Sequence, residues 1–226
     1  MIYLENDQTE FPSPENARAD GLLCVGGDLH PDRIEKAYKA GIFPWYEDGQ
    51  PLLWWSPNRR MVLYPNEFRI SKSFRSRLKK HSFKISCDKD FIGVITHCAD
   101  VPRKDQHGTW ITDQMIAAYL DLHKKGLARS IEIWENDVLV GGLYGIDLPE
   151  YGLFCGESMF SLRPDASKIA LHTLVEAVSE AAYTLIDCQM YTDHLYSLGA
   201  REIPRAEFLH HLKQPKKSFS AFSVSS

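Results

Sequence analysis

Two short apolar segments each carry polar side chains that could take part in chemistry. The segment FCGESMFS (154–161) holds Glu157, and LIDCQMY (185–191) holds Asp187 and Gln189 two residues apart. Alternate residues of a strand share one face, so Asp187 and Gln189 are expected to point the same way. Burying an unpaired carboxylate is costly. The segments therefore predict either polar groups held in a pocket for a substrate, or strand residues that point to water or to a neighbouring loop.

The basicity of these groups limits the chemistry open to them. Neither Asp187 nor Gln189 is a strong base, so a reaction built on them needs a nucleophile that requires little activation. Cys155 and Cys188 lie in the same apolar runs and are interpreted as small core residues rather than nucleophiles. Alternation along the first strand assigns Glu157 to one face together with Leu153, Cys155 and Met159.

The tryptophans form a second unusual feature. Three of the five, Trp45, Trp54 and Trp55, fall within GIFPWYEDGQPLLWWSPNRR (41–60), where the density of proline and glycine predicts mostly loop. Aromatic rings on a loop can stack on the bases of single-stranded nucleic acid. They can also wedge the loop onto a sheet, which is the favoured interpretation for Trp54 and Trp55. Trp134 lies in a predicted strand and is interpreted as packing.

Positive charge is concentrated in one segment, RISKSFRSRLKKH (69–81), which holds six Lys or Arg residues and no acid. The whole chain has a formal charge of −4, so the remainder carries −10. Ile70, Phe74 and Leu78 recur every four residues, and Ser71 can serve as the N-cap. This pattern predicts an N-capped amphipathic helix, hereafter the basic helix. A charged helix face is often simply solvated, but cations without acids in an acidic chain favour RNA phosphates. The predicted contacts are Arg69, Lys72, Arg75, Arg77, Lys79 and Lys80.

Composition excludes several other classes of protein. The 226-residue chain is 44% hydrophobic and 25% charged, as in ordinary globular proteins. Its five cysteines show no CxxC spacing, which favours a reducing cytoplasm and no metal site. The N-terminus does not resemble a signal peptide, and no apolar run approaches the ~20 residues of a membrane span. We expect a cytoplasmic protein with no metal, no cofactor and no membrane association.

The periodicities predict an α+β fold. Helices are predicted at 31–41, 90–99, 112–126, 165–185 and 205–212, and strands at 82–88, 151–161 and 185–191, with a hairpin from 130 turning at Asn136-Asp137. This order matches an acetyltransferase-like (GNAT-like) C-terminal domain, residues 59–226, preceded by a small N-terminal α/β domain, residues 1–58. The segment SLRPDASK (161–168) lacks the glycines with which that fold cradles coenzyme A. Coenzyme A is therefore not the expected acyl donor.

The chain resembles the bacterial leucyl/phenylalanyl-tRNA–protein transferases. The motifs that carry the resemblance run in order from about residue 21 to 204 and are GLLCVGGDL, GIFPWY, PLLWWSP, GTWI, SIEIWENDVLVGGLYG, FCGESMFS, ASKIAL, LIDCQ and SLGA. The resemblance implies transfer of leucine or phenylalanine, and less readily methionine, from charged tRNA to an N-terminal Arg or Lys of another protein. That transfer marks the acceptor for degradation by the N-end rule. We expect the enzyme to be a monomer.

The resemblance also implies roles for individual residues. Trp45 and Trp110 would hold the terminal adenine, and Asp187 and Gln189 would assist the reaction. The amino-acid pocket would comprise Leu143, Phe154, Glu157 and Leu174.

The implied reaction is aminolysis of an ester, which suits weakly basic groups because a terminal α-amine has a pKa of roughly 7.7–8.0. Our hypothesis is that Asp187 orients Gln189, whose side-chain carbonyl accepts a hydrogen bond from the amine. Glu157 would place a polar group such as the α-ammonium of the carried residue. Two alternatives are a coenzyme-A-dependent N-acyltransferase and a non-catalytic tRNA-binding protein.

Overall fold

The computed structural model describes residues 2–5, 10–79, 82–101, 110–213 and 222–224, and these form two β-sheets with helices packed on them. The strands are β1 Ile2–Leu4, β2 Leu22–Gly26, β3 Phe43–Pro44, β4 Leu53–Trp55, β5 Arg59–Leu63, β6 Lys84–Cys87, β7 Ala128–Glu135, β8 Val138–Leu148, β9 Leu153–Ser161, β10 Leu185–Gln189 and β11 Arg201–Pro204. The helices are α1 Pro31–Lys39, α2 Lys72–Leu78, α3 Phe91–Asp100, α4 Asp113–Lys124, α5 Ala166–Glu180, α6 Asp193–Ser197 and α7 Arg205–Leu212. The prediction of a mixed α+β fold is confirmed.

The larger sheet has seven strands in the order β11-β5-β10-β9-β8-β7-β6. Among its described strands, β9 and β10 form the one parallel pair, joined by the crossover helix α5, and every other neighbour is antiparallel. Helix α5 packs in one hydrophobic cluster with Phe154 and Ile186, whereas α3 and α4 pack in a second cluster with Cys155 and Tyr144. The sheet is therefore covered on both faces.

The smaller sheet has four strands in the order β1-β2-β4-β3. The prediction that residues 41–60 are mostly loop is confirmed, although β3, β4 and the start of β5 lie within them. The Trp54 ring is fully buried and its Nε1 donates to the Gly26 carbonyl at 2.9 Å, while Trp55 Nε1 donates to the Trp45 carbonyl at 2.7 Å. Trp54 and Trp55 therefore have the structural role that was favoured, although they pack from strand β4 and not from a loop. The division into domains at residue 58 stays a prediction, since one hydrophobic cluster contains residues from both segments.

Most of the predicted elements are present in the structure. The basic helix corresponds to α2, in which Ser71 Oγ accepts from the Phe74 amide at 3.1 Å. Asn136 and Asp137 turn the β7–β8 hairpin with φ of 51° and 62°. Trp134 packs as predicted, its Nε1 donating to Ser86 Oγ at 2.8 Å. The helix predicted at 165–185 ends at Glu180, and Ala182 beyond it is exposed with φ 60°.

A bulge in β9 alters the predicted faces of that strand. Gly145 pairs with Gly156 and Tyr144 pairs with Ser158, so Glu157 has no partner across β8. Glu157 is thus an extra residue in β9, and the side chains that follow it lie on the opposite faces from those that regular alternation predicts. Met159, predicted on the face of Glu157, packs instead with the cluster that contains α5. The predicted face holds for Leu153, Cys155 and Glu157 and is wrong for Met159.

None of the helices in the described segments combines the length and the apolar composition that crossing a membrane requires.

The packing of β8 against α5 generates a prediction about stability. A Cβ added at Gly141 would lie 2.5 Å from the Cβ of Ala166. Ala166 belongs to α5, so its Cβ can move aside only if the helix shifts. We expect Gly141→Ala to lower the free energy of unfolding by about 1–3 kcal/mol through overpacking. Gly156→Ala is the control, since its added Cβ meets nothing closer than 3.7 Å. Urea unfolding measures both, and equal stabilities of the two variants would contradict this account of the contact.

Candidate active site

A cavity of about 380 Å³ opens where β9 and β10 part. The parallel register between these strands ends at Asp187 opposite Cys155, and the residues that follow on each strand line the cavity. The remaining walls come from the segment around β3, from the segment preceding α4, from β8 and from α5. The lining comprises Phe43, Pro44, Trp45, Trp110, Leu143, Tyr144, Phe154, Gly156, Glu157, Ser158, Met159, Leu171, Leu174, Ile186, Cys188, Gln189, Met190, Tyr191, Thr192 and Leu195.

The structure places most of the predicted site residues around this one cavity. Those that line the cavity are Trp45, Trp110, Leu143, Phe154, Glu157, Leu174 and Gln189. Asp187 does not line it. Their positions make a shared site possible, and their individual roles stay predictions.

The two tryptophans of the site are held in place by their neighbours. Trp45 is half-buried, its ring centroid lies 5.7 Å from that of Trp55, and its carbonyl accepts from the Trp55 indole. Trp110 is 7% exposed and lies just before the start of α4. Each ring thus has a defined position at the cavity.

The apolar part of the cavity is larger than predicted. Leu143, Phe154 and Leu174 were expected there, and Met159, Leu171 and Ile186 also line it. Leu171 lies three residues before Leu174 in α5, so helical periodicity could have identified it. Met159 could not have been found by alternation, because the bulge at Glu157 reverses its face.

Glu157 is the central polar group of the site. Its Oε1 accepts from Gln189 Nε2 at 2.6 Å and its Oε2 accepts from the Tyr119 hydroxyl at 3.1 Å. The hydroxyls of Tyr38 and Tyr119 are 2.5 Å apart, and both rings are buried. Neither tyrosine was predicted for the site, because helical spacing assigns both to apolar faces and no local signal pairs residues 81 positions apart.

The surroundings of Glu157 favour its neutral form. Glu157 is half-buried at the cavity wall, and both of its carboxyl oxygens accept hydrogen bonds from neighbouring side chains. This burial raises the pKa of Glu157 to about 7, a rise that hydrogen bonds from Tyr38, Gln189 and Tyr119 oppose and the charge of Asp187 reinforces. Glu157 therefore changes charge near neutral pH, whereas an ordinary glutamate does so near 4.5.

Asp187 lies behind the cavity and is fully buried. Its two oxygens accept from Nε and Nη2 of Arg60 at 2.8 and 2.7 Å, and its Oδ1 also accepts from the backbone amide of Gln189 at 2.9 Å. The hypothesis that Asp187 orients Gln189 stays a prediction, and the structure shows the contact through which it would act. Asp187 contacts the Gln189 backbone, and Glu157 is the residue that contacts the side-chain amide.

The interpretation of the two cysteines agrees with their surroundings. Cys155 is fully buried, and Cys188 is half-buried at the cavity wall. Burial raises the pKa of both thiols, which disfavours the reactive thiolate. Neither residue has the surroundings of a nucleophile.

The basic helix presents its charges to solvent. Phe74 is buried, and the described cations Arg69, Lys72, Arg75, Arg77 and Lys79 are exposed. Arg77 Nε lies 2.5 Å from Asp165, the N-cap of α5, so the basic helix rests beside a helix that lines the cavity. Lys80 falls outside the described residues.

Comparison with known families and proteins identifies the class. Residues 62–213 match the model of the leucyl/phenylalanyl-tRNA protein transferase family, and residues 27–58 match that of its N-terminal domain. Proteins named leucyl/phenylalanyl-tRNA–protein transferase are 53% identical in Thermodesulfovibrio yellowstonii (94% of this chain, 86% of that protein) and 51% identical in Flavobacterium johnsoniae (94% and 99%). The relative in Pseudomonas putida is 51% identical (96% and 98%).

Similar solved structures are more distant. L-PGS from Bacillus licheniformis has a TM-score of 0.44 and 11% identity over 74% of this chain and 58% of that one. A GCN5-related N-acetyltransferase from Kribbella flavida has a TM-score of 0.35 and 10% identity over 83% and 60%. Likenesses at these scores decide neither fold nor function.

A mixed α+β fold with one aromatic and apolar cavity around a carboxyl–amide pair, together with these matches, defines the chain as a transferase enzyme. It belongs to the leucyl/phenylalanyl-tRNA protein transferase family.

The raised pKa of Glu157 generates a prediction about pH. The folded protein holds a proton at Glu157 between pH 4.5 and about 7 that the unfolded chain has released. The free energy of unfolding should therefore fall as pH rises through this window, by at most about 3 kcal/mol. Glu157→Gln should remove that part of the pH dependence, as measured by urea unfolding from pH 4 to 8.

Asp147 supplies the control for this measurement. Burial raises its pKa to about 6, although Tyr183 and Arg129 oppose the rise, and it lies outside the cavity lining. The part of the pH dependence of the free energy of unfolding that Asp147 contributes should persist in Glu157→Gln and disappear in Asp147→Asn. Identical pH profiles for the wild-type protein and Glu157→Gln would contradict the prediction.

Proposed function

We propose that this enzyme transfers leucine or phenylalanine, and less readily methionine, from charged tRNA to the N-terminal Arg or Lys of acceptor proteins. The transfer would mark those proteins for degradation by the N-end rule. The observation that carries the proposal is the cavity itself, in which Trp45 and Trp110 lie with an apolar pocket and the Glu157–Gln189 pair. A tRNA-borne aminoacyl ester has the matching parts, namely a flat adenine, an apolar side chain and a reactive carbonyl.

The proposed placement of the donor follows these chemical matches. The terminal adenine would stack on Trp45 and Trp110, a contact worth about 1–3 kcal/mol per base. The side chain of the carried residue would enter the pocket of Leu143, Phe154 and Leu174, which we expect to prefer side chains unbranched at Cβ.

The reaction would be direct aminolysis. The neutral α-amine of the acceptor attacks the ester carbonyl carbon, a C–N bond forms, the bond to the ribose oxygen breaks, and a proton passes from nitrogen to that oxygen. When Glu157 is ionised it can only accept hydrogen bonds, so the Gln189 amide must present Nε2 to it, as observed. The Gln189 carbonyl is then the end that can accept a hydrogen bond from the amine. Alignment of amine and ester would supply most of the acceleration.

The proposed fold is acetyltransferase-like in its C-terminal part, residues 59–226, with a small N-terminal α/β domain in residues 1–58. The parallel strands β9 and β10, which part at the cavity, support this comparison. Asp165 is the N-cap residue of α5, the helix that would face a coenzyme A pyrophosphate in that fold, and its carboxylate pairs with Arg77 and Lys168. The segment SLRPDASK, which leads into α5, also lacks the glycines with which that fold cradles the pyrophosphate. We accordingly propose a monomer that uses neither coenzyme A nor a metal and acts in the cytoplasm.

The basic helix is the proposed contact for the phosphates of the tRNA acceptor stem. Its described cations are exposed, and its pairing with the N-terminus of α5 places it next to an element of the cavity. A ligand whose end lies in the cavity would extend a backbone past this surface. Binding through it should depend strongly on salt.

A transfer assay tests the proposed function. The purified protein, given tRNA charged with labelled leucine and a peptide that begins with Arg, should move the label to the peptide. Gln189→Ala should lower turnover by about 10- to 100-fold with little change in affinity for charged tRNA, because it removes an aligning group. Isoleucine should be a poor substrate. Gln50→Ala is a matched control that should leave turnover unchanged, since it makes the same substitution at an exposed residue outside the cavity lining.

Two results would overturn this function. Binding of tRNA without transfer would favour the non-catalytic tRNA-binding protein. Transfer of an acyl group from acetyl-coenzyme A to the peptide would favour the coenzyme-A-dependent enzyme.

Salt dependence tests the basic helix separately. The triple variant Lys72→Gln, Arg75→Gln, Lys79→Gln should reduce the slope of log affinity against log salt by about 0.7–0.9 for each phosphate that the helix no longer neutralises. A triple variant with the same change in charge elsewhere, Lys36→Gln, Lys84→Gln, Lys124→Gln, should leave the slope unchanged. Equal effects of the two triples on filter binding across a salt series would argue against the basic helix as the RNA surface.

A further inference from the structure

Arg60 is a charged residue that no pattern in the sequence singles out, and it is almost fully buried at 1% exposure. Its Nε and Nη2 donate to both oxygens of Asp187, and its Nη1 donates to the Gly41 carbonyl at 3.3 Å. The guanidinium lies over the rings of Phe43 and Phe208, at 4.7 and 4.5 Å from their centroids. Every face of this side chain is therefore occupied by protein.

The partner of Arg60 controls an unusual piece of backbone. Gln189 has a φ of 60°, a conformation that residues other than glycine rarely adopt. The strand register against β5 shifts between Asp187 and Gln189 at the same point. The Gln189 amide donates to Asp187 Oδ1 at 2.9 Å, so the oxygen that holds the strained residue is one that Arg60 also holds. Strained conformations persist where neighbouring contacts fix them.

The other contacts of Arg60 reach the opposite wall of the cavity. Gly41 and Phe43 belong to the segment that leads to Trp45, and both Phe43 and Trp45 line the cavity. A single guanidinium thus joins the segment before Trp45 to the strand that ends in Gln189. Its planar, fork-shaped geometry allows these contacts at once, whereas a lysine has one nitrogen to share among them.

Stability alone is a weak reason to keep such a pair. Apolar residues of similar volume often replace a buried ion pair with no loss of stability. The burial of this ion pair is better explained if Arg60 and Asp187 hold Gln189 in a fixed orientation.

We propose that Arg60 is a positioning residue that fixes the backbone of Gln189 through Asp187 and so sets the orientation of the Gln189 amide in the cavity. This inference rests on the proposed function for its consequence in turnover. Arg60 itself touches no substrate.

The experiment uses the full-length protein and three variants. Arg60→Lys keeps the charge but cannot hold both Asp187 oxygens and Gly41. The pair Arg60→Met, Asp187→Leu replaces the ions with apolar groups. Arg129→Lys is the matched control, since Arg129 is a mostly buried arginine that bonds two carboxylates, Asp88 and Asp147, outside the cavity lining.

Four measurements separate positioning from stability: kcat, the Kd for charged tRNA, amide exchange at Gln189 and the unfolding temperature. Arg60→Lys should lower kcat by about 10- to 100-fold while the Kd for charged tRNA changes by less than about threefold. The amide of Gln189 should exchange with solvent deuterium faster than in the wild-type protein. The double variant should unfold near the wild-type temperature yet show the same low kcat and fast exchange, and Arg129→Lys should keep the wild-type kcat and the slow exchange at Gln189.

Every outcome of these measurements either supports or overturns the positioning role of Arg60. Wild-type turnover in the double variant, or in a folded Arg60→Lys protein, would overturn the proposal. If the double variant does not fold, Arg60→Lys decides by the same readouts. If the wild-type protein transfers no amino acid, the proposed function fails, and unchanged exchange of the Gln189 amide in Arg60→Lys would separately overturn the role of Arg60.

Discussion

The hydrogen bond between Gln189 Nε2 and Glu157 Oε1, 2.6 Å long, spans the gap where the central strands part. Parallel strands that separate would leave polar backbone and side-chain groups facing a space that water or a ligand must fill. The bond closes the inner end of that space and leaves the outer end open as the cavity. The two tyrosine hydroxyls behind Glu157 and the ion pair behind Gln189 complete its support.

Two irregularities of the larger sheet lie at this bond. Glu157 is the extra residue of a bulge in β9, and Gln189 combines a left-handed backbone with a register shift in β10. Regular strands would have continued their pairing and placed side chains above and below the sheet. Bulges re-aim side chains and end pairing, and here they turn a carboxyl and an amide toward each other across the parting strands.

The cavity also depends on the smaller sheet. Trp54 is buried within it and Trp55 bonds the backbone of Trp45, so the tryptophan-rich segment packs as structure and leaves only one of its three rings lining the cavity. The buried guanidinium of Arg60 bonds Gly41 in the same segment and Asp187 in β10. A change in the packing around Gly41 would therefore reach the end of the cavity that holds Gln189.

Several elements of this fold could be predicted from short-range patterns in the sequence. The period of α2 and its Ser71 cap, the Asn136-Asp137 turn and the alternation in β7 each depend on residues a few positions apart. The resemblance to one family also assigned several of the residues that line the cavity to a common site. A local pattern carries no information about a partner far along the chain, so the contacts of Arg60 were missed.

Tertiary structure decided what local patterns could not. Arg60 meets Asp187 across 127 positions, and Tyr38 meets Tyr119 across 81. The bulge at Glu157 exists because β8 and β9 pair around it, and it reversed the face predicted for Met159. Sequence periodicity assumes a regular strand, whereas the register between strands is set by packing on both faces of the sheet. The sequence therefore identified many of the residues that line the cavity. The tertiary structure added Met159, Ile186 and the two tyrosines, and the pairing of strands decided where the side chains point.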